Sequence, residues 1–185
     1  MKLSVTKRAV NRKSDATKLR REGFIPAVIY SKGDVGENIA IKSDEFSAFI
    51  RQLQKGRLPN TIVELDIDGK TRRAIIKDIQ YNIINYNVIS LDFEELHDDR
   101  PVKVKVPVEC TGVNECIGVK AGGVLRQVIR HVRVRCLPKD IPNLFNIDVT
   151  SMDLRQSRRL SDIAWPETIR PLVNLNEVAV LIAKR

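Results

Sequence analysis

Apolar and polar residues alternate along most of the chain, and this pattern predicts mainly β structure. Asp68-Gly69 separates two of the alternating stretches and is a strong signal for a tight β-hairpin. In the stretch 88–95, Ser90 and Asp92 lie on one face of the predicted strand, and Leu91 and Phe93 lie on the other. The strands predicted in the first hundred residues are 3–9, 27–30, 38–42, 61–67, 71–79 and 88–95.

A short basic helix is predicted between the first two strands. Ser14 is expected to cap its start, Arg20 and Arg21 lie in its last turn, and Gly23 follows at its carboxyl end. Pro26 prevents any continuation of the helix. So short a helix is marginal alone, and we expect it to be held against the following strand.

A second helix is predicted after Ser43, which is expected to be its cap, and Gly56 is expected to end it. Phe46 and Phe49 repeat at helical spacing, which indicates a core-facing stripe. The strands and helices follow no βαβ rhythm. The first domain is therefore predicted to be an antiparallel β-barrel with about two short helices.

The polar segment 97–101 ends in proline, and we place a domain boundary there, between residues 1–96 and 97–185. Beyond it, valines alternate with lysines at 102–108, and three valines lie near arginines, namely Val128, Val132 and Val134 near Arg126, Arg130, Arg133 and Arg135. Further strands are predicted at 145–149 and 178–183. The second domain is thus expected to be all β.

Composition narrows the class of protein. The 185 residues are 43% hydrophobic and 30% charged, as in ordinary globular proteins. We expect no membrane span and no secretory signal, and hence a cytoplasmic location. Cys110, Cys116 and Cys136 form no CxxC pair and have no histidine at ligand spacing, so free thiols are expected, with no metal and no other cofactor.

Positive charge is concentrated at the start of the chain. Residues 1–32 contain nine Lys and Arg against two Asp and Glu, whereas residues 33–100 contain nine against thirteen. A dense basic patch is typical of nucleic-acid binding, and the alternative is a solvated basic helix. The cations that the helix and its flank would present are Arg12, Lys13, Lys18, Arg20 and Arg21.

Three stretches together resemble the bacterial ribosomal protein L-twenty-five family in its long form, the Ctc or general-stress type. Residues 19–30, LRREGFIPAVIY, are similar to that family's first motif, and KDIQY at 77–81 with LDF at 91–93 is similar to its closing strands. GVKAGGVL at 118–125 with CLPKDIP at 136–142 resembles the signature of the extra C-terminal domain. The resemblance covers nearly the whole chain.

The resemblance implies a structural protein of the large (50S) ribosomal subunit. Such a protein binds the loop E region of 5S rRNA at the central protuberance through its N-terminal barrel. Other large-subunit proteins and 23S rRNA are further candidate partners, and no membrane, small-molecule substrate or catalysis is expected. The positions that match the family's RNA contacts are Arg20, Arg21, Tyr30, Gln80 and Asp92.

The chain departs from the family pattern at three points. Ser90 stands where the family usually has a histidine, so one contact is lost or replaced by a hydroxyl. Asn82-Ile83 stands where His-Pro is common. The chain also ends at Arg185, without the acidic tail of many long forms.

Two of the matched residues have competing interpretations. Tyr30 offers a stacking face and a hydroxyl to RNA, but it would also suit a strand position half in the core. Asp92 is expected either to accept hydrogen bonds from a base amino or imino group or to hold Arg20 or Arg21 in an ion pair. The family match favours the base contact.

Other charged and flexible segments are assigned less specific roles. Arg126, Arg130, Arg133 and Arg135 could contact RNA or a neighbouring protein, but we favour the solvated face of a strand. Gly118, Gly122 and Gly123 are interpreted as turn glycines rather than a phosphate loop, because no Gly-Lys-Ser/Thr sequence follows them.

Two rival functions remain. An enzyme acting on nucleic acid or a phosphorylated metabolite is disfavoured, because no nucleophile–base arrangement and no carboxylate cluster is recognisable. A stress-induced protein that associates with ribosomes conditionally differs from the main hypothesis in occupancy, not in chemistry.

Overall fold

The fold is described from a computed structural model that covers residues 2–8, 13–31, 33, 35–54, 56–67 and 69–184, with residue 13 described by its backbone alone. The chain forms two compact units, residues 1–100 and 101–185. Each unit has its own buried apolar core.

The segment 97–100 lies with the first unit, whereas the sequence assigned it to the second domain. His97 Nε2 is 2.9 Å from Ser31 Oγ, and Arg73 donates to Asp98 across 2.7 Å. These contacts tie the segment to the barrel, and no pattern along the sequence indicates them.

Among the described residues of the first unit, six strands close into a barrel. Around the barrel, the strands follow the order β1 (Lys2–Lys7), β3 (Glu37–Lys42), β2 (Phe24–Tyr30), β6 (Val88–Glu95), β5 (Lys70–Tyr81) and β4 (Ile62–Ile67). Strands β1 and β4 are parallel, as are β2 and β6, and the other four neighbouring pairs are antiparallel. The predicted, mostly antiparallel barrel is confirmed.

Two helices accompany the barrel strands in the described part of this unit. Helix α1 (Lys13–Arg21) begins before Ser14, so the predicted cap lies inside the first turn. Its carboxyl end is as predicted, since Gly23 has a φ of +82°. That left-handed conformation costs glycine little.

Helix α2 (Ser43–Gln52) differs from the prediction at both ends. Its N-cap is Lys42, without a side-chain cap, because β3 runs directly into the helix and the Ser43 N–H donates to Gly23 O across 2.8 Å. It ends at Gln52, since Leu53 is already extended, rather than at Gly56. Phe46 and Phe49 are buried as predicted, and they pack with the barrel residues in one apolar core.

The second unit contains two sheets among its described residues. Strand β7 (Val102–Thr111) lies between β10 (Phe145–Asp148) and β9 (His131–Cys136), and β9 also pairs with β12 (Arg170–Pro171). The other sheet has the order β11 (Ser157–Arg159), β13 (Val178–Ala183) and β8 (Val124–Gln127). The predicted all-β character is confirmed, apart from the short helix α3 (Ile117–Lys120) and 3-10 turns.

The glycines near α3 have two different roles. Gly122 follows the helix with a φ of +86°, as expected of a turn glycine. Gly118 and Gly123 are packed so closely that a Cβ on Gly123 would lie 2.7 Å from Gly118 O and from Ile182 Cγ2. Close packing, and not only turn formation, requires glycine there.

The three cysteines are free thiols, as predicted, with Cys116 and Cys136 buried and Cys110 half-buried. Burial raises the pKa of the Cys110 thiol and that of the Cys136 thiol, where Asp140 adds to the effect. Within the described ranges, none of the helices has the length and apolar character needed to cross a membrane.

Candidate nucleic-acid interface

The outer surface of β2, β6 and β5, three neighbouring strands of the barrel, carries four predicted site residues. Along β6, Leu91 and Phe93 are fully buried, so Ser90 and Asp92, which alternate with them, face outwards. We call this surface the three-strand face. Its predicted site residues are Tyr30, Gln80, Ser90 and Asp92.

Gln80 and Ser90 lie directly opposite each other on β5 and β6. The Ser90 hydroxyl donates to Gln80 Oε1 across 2.9 Å, which fixes the orientation of the amide. The Gln80 NH₂ group, with two donors, is therefore directed away from Ser90. Ser90 thus positions its neighbour.

Tyr30 is partly buried at the same face, beside carboxylates. Burial raises the pKa of its hydroxyl most strongly, and the negative charges of Asp92, Glu94 and Asp78 raise it further. The hydroxyl therefore stays protonated and can donate a hydrogen bond. The partial burial of Tyr30 fits the half-core position that was the alternative to an RNA contact.

Asp92 lies at the centre of the three-strand face, between Val28 on β2 and Asp78 on β5. Among the described residues, it forms no ion pair with Arg20 or Arg21. The structure therefore does not contain the arginine-holding arrangement that we considered. Asp78 directly opposite makes the position more negative, which suits hydrogen-bond donors and repels phosphates.

Arg20 connects helix α1 to the three-strand face. Its Nε donates to the Ile89 carbonyl across 3.0 Å, next to Ser90 in sequence. The Nε edge of the guanidinium is thus held by β6. The Arg20 side chain is exposed, so its terminal nitrogens can reach a ligand. This contact fixes a cation at the edge of an otherwise polar and acidic surface.

The neighbouring cations of α1 are on the surface. Arg21 is exposed, and Lys18 forms an exposed pair with Glu22 across 3.9 Å. Such an exposed pair contributes little to stability and leaves Lys18 available to a polyanion. Of the other two predicted cations, Arg12 lies outside the described residues, and the side chain of Lys13 is not described.

Arg8 is a candidate that the sequence analysis missed. Its Nε donates to the Ile39 carbonyl across 3.1 Å. Burial lowers the pKa of Arg8, the nearby positive charge of Arg20 lowers it further, and Asp15 opposes the shift. Two guanidinium groups are therefore close in space although twelve positions separate them in sequence, and a lone arginine after a strand gives no signal of this.

The end of β5 and the loop between β5 and β6 add exposed aromatic side chains. Its backbone is ordered by hydrogen bonds, including the Asn82 N–H to Asn87 O across 2.8 Å and the Ile84 N–H to Asn82 Oδ1 across 2.9 Å. Tyr81 and Tyr86 are 47% and 78% exposed. Because Tyr81 follows Gln80 at the end of β5 and Tyr86 lies in the loop that comes next, these rings are candidate stacking groups at the end of the three-strand face.

The four arginines singled out in the second unit do not form one group. Arg126 lies on β8 in the three-stranded sheet, whereas Arg133 and Arg135 lie on β9 in the four-stranded sheet. All are exposed, as is Arg130 in the connection between those strands. Within the described part of the chain, no cluster of three or more His, Cys, Asp or Glu side chains is arranged to hold a metal ion.

Comparison with known proteins matches both units to described families. Residues 3–93 match the Ribosomal L25p family, and residues 101–185 match the family described as Ribosomal protein TL5, C-terminal domain.

Curated relatives match the chain from end to end. Proteins named Large ribosomal subunit protein bL25 from Chlamydia abortus, Chlamydia pneumoniae and Chlamydia muridarum are 49%, 48% and 46% identical to it, respectively. Each alignment spans 185 residues and covers all of both proteins. The similarity is therefore not confined to the short motifs.

Proposed function

Because the chain belongs to the Ribosomal L25p family and carries a C-terminal domain of the ribosomal protein TL5 type, we propose that it is a structural component of the large ribosomal subunit that binds 5S rRNA. The RNA segment is the loop E region, at the central protuberance, as the motif resemblance implies. The protein acts by binding and performs no catalysis.

The observation that carries this proposal is the convergence of unlike binding groups at one surface. The oriented amide of Gln80, the acceptor Asp92 and the hydroxyl of Tyr30 share the three-strand face, and Arg20 is fixed at its edge through Ile89 O. On a strand surface that only faces water, side chains are not expected to be held in fixed orientations as Gln80 and Arg20 are.

The chemistry of the face suits an irregular RNA helix. The minor groove of A-form RNA is wide and shallow, and it presents hydroxyls and base edges that a convex barrel surface can reach. Asp92 would accept from base amino or imino groups, and Gln80 would donate to acceptors beside them. Arg20 and Arg21 would bind phosphate oxygens, where a guanidinium makes two-point contacts that lysine cannot make.

Replacing both arginines with alanine, Arg20→Ala/Arg21→Ala, tests the assignment of this surface. Charge-assisted hydrogen bonds contribute about 1.5–3 kcal/mol each, so we expect affinity for 5S rRNA to fall by at least about a hundredfold. The slope of log affinity against log salt should also decrease in magnitude by about 1.5–2, because two phosphate contacts are lost. Filter binding across a salt series measures both quantities.

A matched control removes the same charge elsewhere on the barrel. Arg51 in the last turn of α2 and Lys70 at the start of β5 are both exposed. The Arg51→Ala/Lys70→Ala variant should bind nearly as the unaltered protein does. Equal losses in the two variants would show that only net charge matters, and the proposed surface would be wrong.

A further inference from the structure

The solvent face of the four-stranded sheet in the second unit carries a ladder of cations. Lys105 lies directly opposite Arg133, and Arg135 lies between Lys103 on one side and Arg170 on the other. All five side chains are exposed, while the valines that alternate with them on β7 and β9 are buried. We call these five residues the basic ladder.

Such an arrangement works against the stability of the sheet. Like charges directly opposite each other on neighbouring strands are destabilising, and here three such pairs adjoin. Within the described residues, Lys105, Arg133, Arg135 and Arg170 have no carboxylate at ion-pair distance. Along β7, the exposed acidic residue nearest to the ladder is Glu109. The buried Pro107 separates it from Lys105, and Glu109 lies opposite Asn146 on β10.

The spacing of the ladder resembles that of a polyanion. Alternate residues on one strand are about 6.6 Å apart, and neighbouring strands are about 4.8 Å apart. The separation along one strand is comparable to that between consecutive phosphates in a nucleic-acid strand. At one end, Arg135 and Arg170 line a depression of about 260 Å³ together with Pro101 and Thr168.

We propose that the basic ladder is a second RNA-binding surface, which contacts the phosphate backbone of a structured RNA without reading its sequence. It shares no residue with the three-strand face and so goes beyond the function proposed for the first unit. RNA is favoured over an acidic protein because nucleic-acid interfaces are far more positively charged than protein interfaces, whose centres are depleted of charge.

A duplex RNA unrelated to 5S rRNA is the probe that tests this surface in the full-length protein. The Arg133→Thr/Arg135→Thr variant replaces two strand arginines with threonine, which favours β structure, so we expect it to fold. It should bind the duplex several-fold more weakly, with a salt slope smaller in magnitude by about 1.5–2. If it fails to fold, Lys105→Thr/Arg170→Thr on the same ladder should give the same loss.

The control is Lys120→Ala/Arg126→Thr, which removes two exposed cations from the second unit outside the ladder. It should retain most of the duplex affinity and salt slope. Equal losses in the ladder and control variants would overturn the proposal, as would ladder variants that bind like the unaltered protein. Tighter ladder-dependent binding of polyglutamate than of RNA at matched charge would also overturn it, in favour of an acidic protein partner.

Binding to a 5S rRNA loop E fragment distinguishes the proposal for the basic ladder from the proposal for the three-strand face. A ladder variant should keep its affinity for a 5S rRNA loop E fragment, whereas Arg20→Ala/Arg21→Ala should lose it. If the RNA-binding surface proposed for the first unit is wrong, only the result for Arg20→Ala/Arg21→Ala changes, because that variant then keeps its affinity for the loop E fragment. A ladder variant that loses loop E binding as strongly as the arginine variant would contradict the sequence-independent role assigned to the ladder.

Discussion

Single side chains on the three-strand face acquire their properties from neighbours that are distant in sequence. Tyr30 lies beside Asp92 and Glu94 because β2 and β6 run in parallel, and Asp78 reaches the same place from β5. Alternation within residues 88–95 predicted that Ser90 and Asp92 share a face. It did not predict which strand lies beside them, because strand pairing is not encoded in local periodicity.

Replacing Asp92 with asparagine should lower the pKa of the Tyr30 hydroxyl. The pKa should remain above 10, its ordinary value, because burial is the largest cause and Glu94 and Asp78 remain. The measurement is an alkaline titration followed by near-ultraviolet tyrosine absorbance, with Tyr30→Phe identifying the signal of this residue. An unchanged titration in Asp92→Asn would show that the two side chains do not interact.

The same shift gives the sign of a stability change at high pH. The raised pKa of Tyr30 means that the unfolded chain releases this proton at a lower pH than the folded chain does. The free energy of unfolding therefore falls as pH rises above the ordinary tyrosine value. Tyr30→Phe should remove that part of the decline.

At the level of elements, local signals predicted the strands well and their junctions less well. Gly69 has a φ of +79° in the predicted hairpin, as its position after Asp68 requires, although Asp68 itself lies outside the described residues. The prediction of Ser43 as the N-cap of α2 was wrong, because β3 continues without a turn into the helix and Lys42 takes the cap position. The contact of Arg20 with Ile89 joins residues 69 positions apart and was beyond any local pattern.

The motif at 118–125 illustrates how packing can require a residue that appears to serve a turn. Gly123→Ala should destabilise the second unit by about 1–3 kcal/mol, because the added methyl group would overlap Gly118 O, Ile182 and Leu154. Denaturant unfolding measures the change. Gly122→Asn is the control, since its surroundings are open and asparagine tolerates a positive φ, and it should cost less than about 1 kcal/mol. A neutral Gly123→Ala variant would contradict the close packing.

At the scale of the whole molecule, the net charge of +9 arises from two basic regions and an acidic middle. Residues 1–32 contribute the first basic region and residues 101–185 the second, which has fourteen Lys and Arg against eight Asp and Glu. The sequence showed this division, but only the strand register showed that five of the latter cations form a ladder. The two regions are expected to act differently, since the first is proposed to act together with base-contacting groups and the second to contact phosphates without reading sequence.

The central claim is that the first unit recognises the loop E region of 5S rRNA, and equilibrium binding to paired RNA fragments tests it most directly. One fragment carries loop E, and the other has the same length with loop E replaced by a regular Watson–Crick helix. Since phosphate charge is equal in both, we expect the loop E fragment to bind about a thousandfold more tightly, at the lower end of the range of specific over non-specific binding to nucleic acid. Equal affinities at physiological salt would contradict the claim.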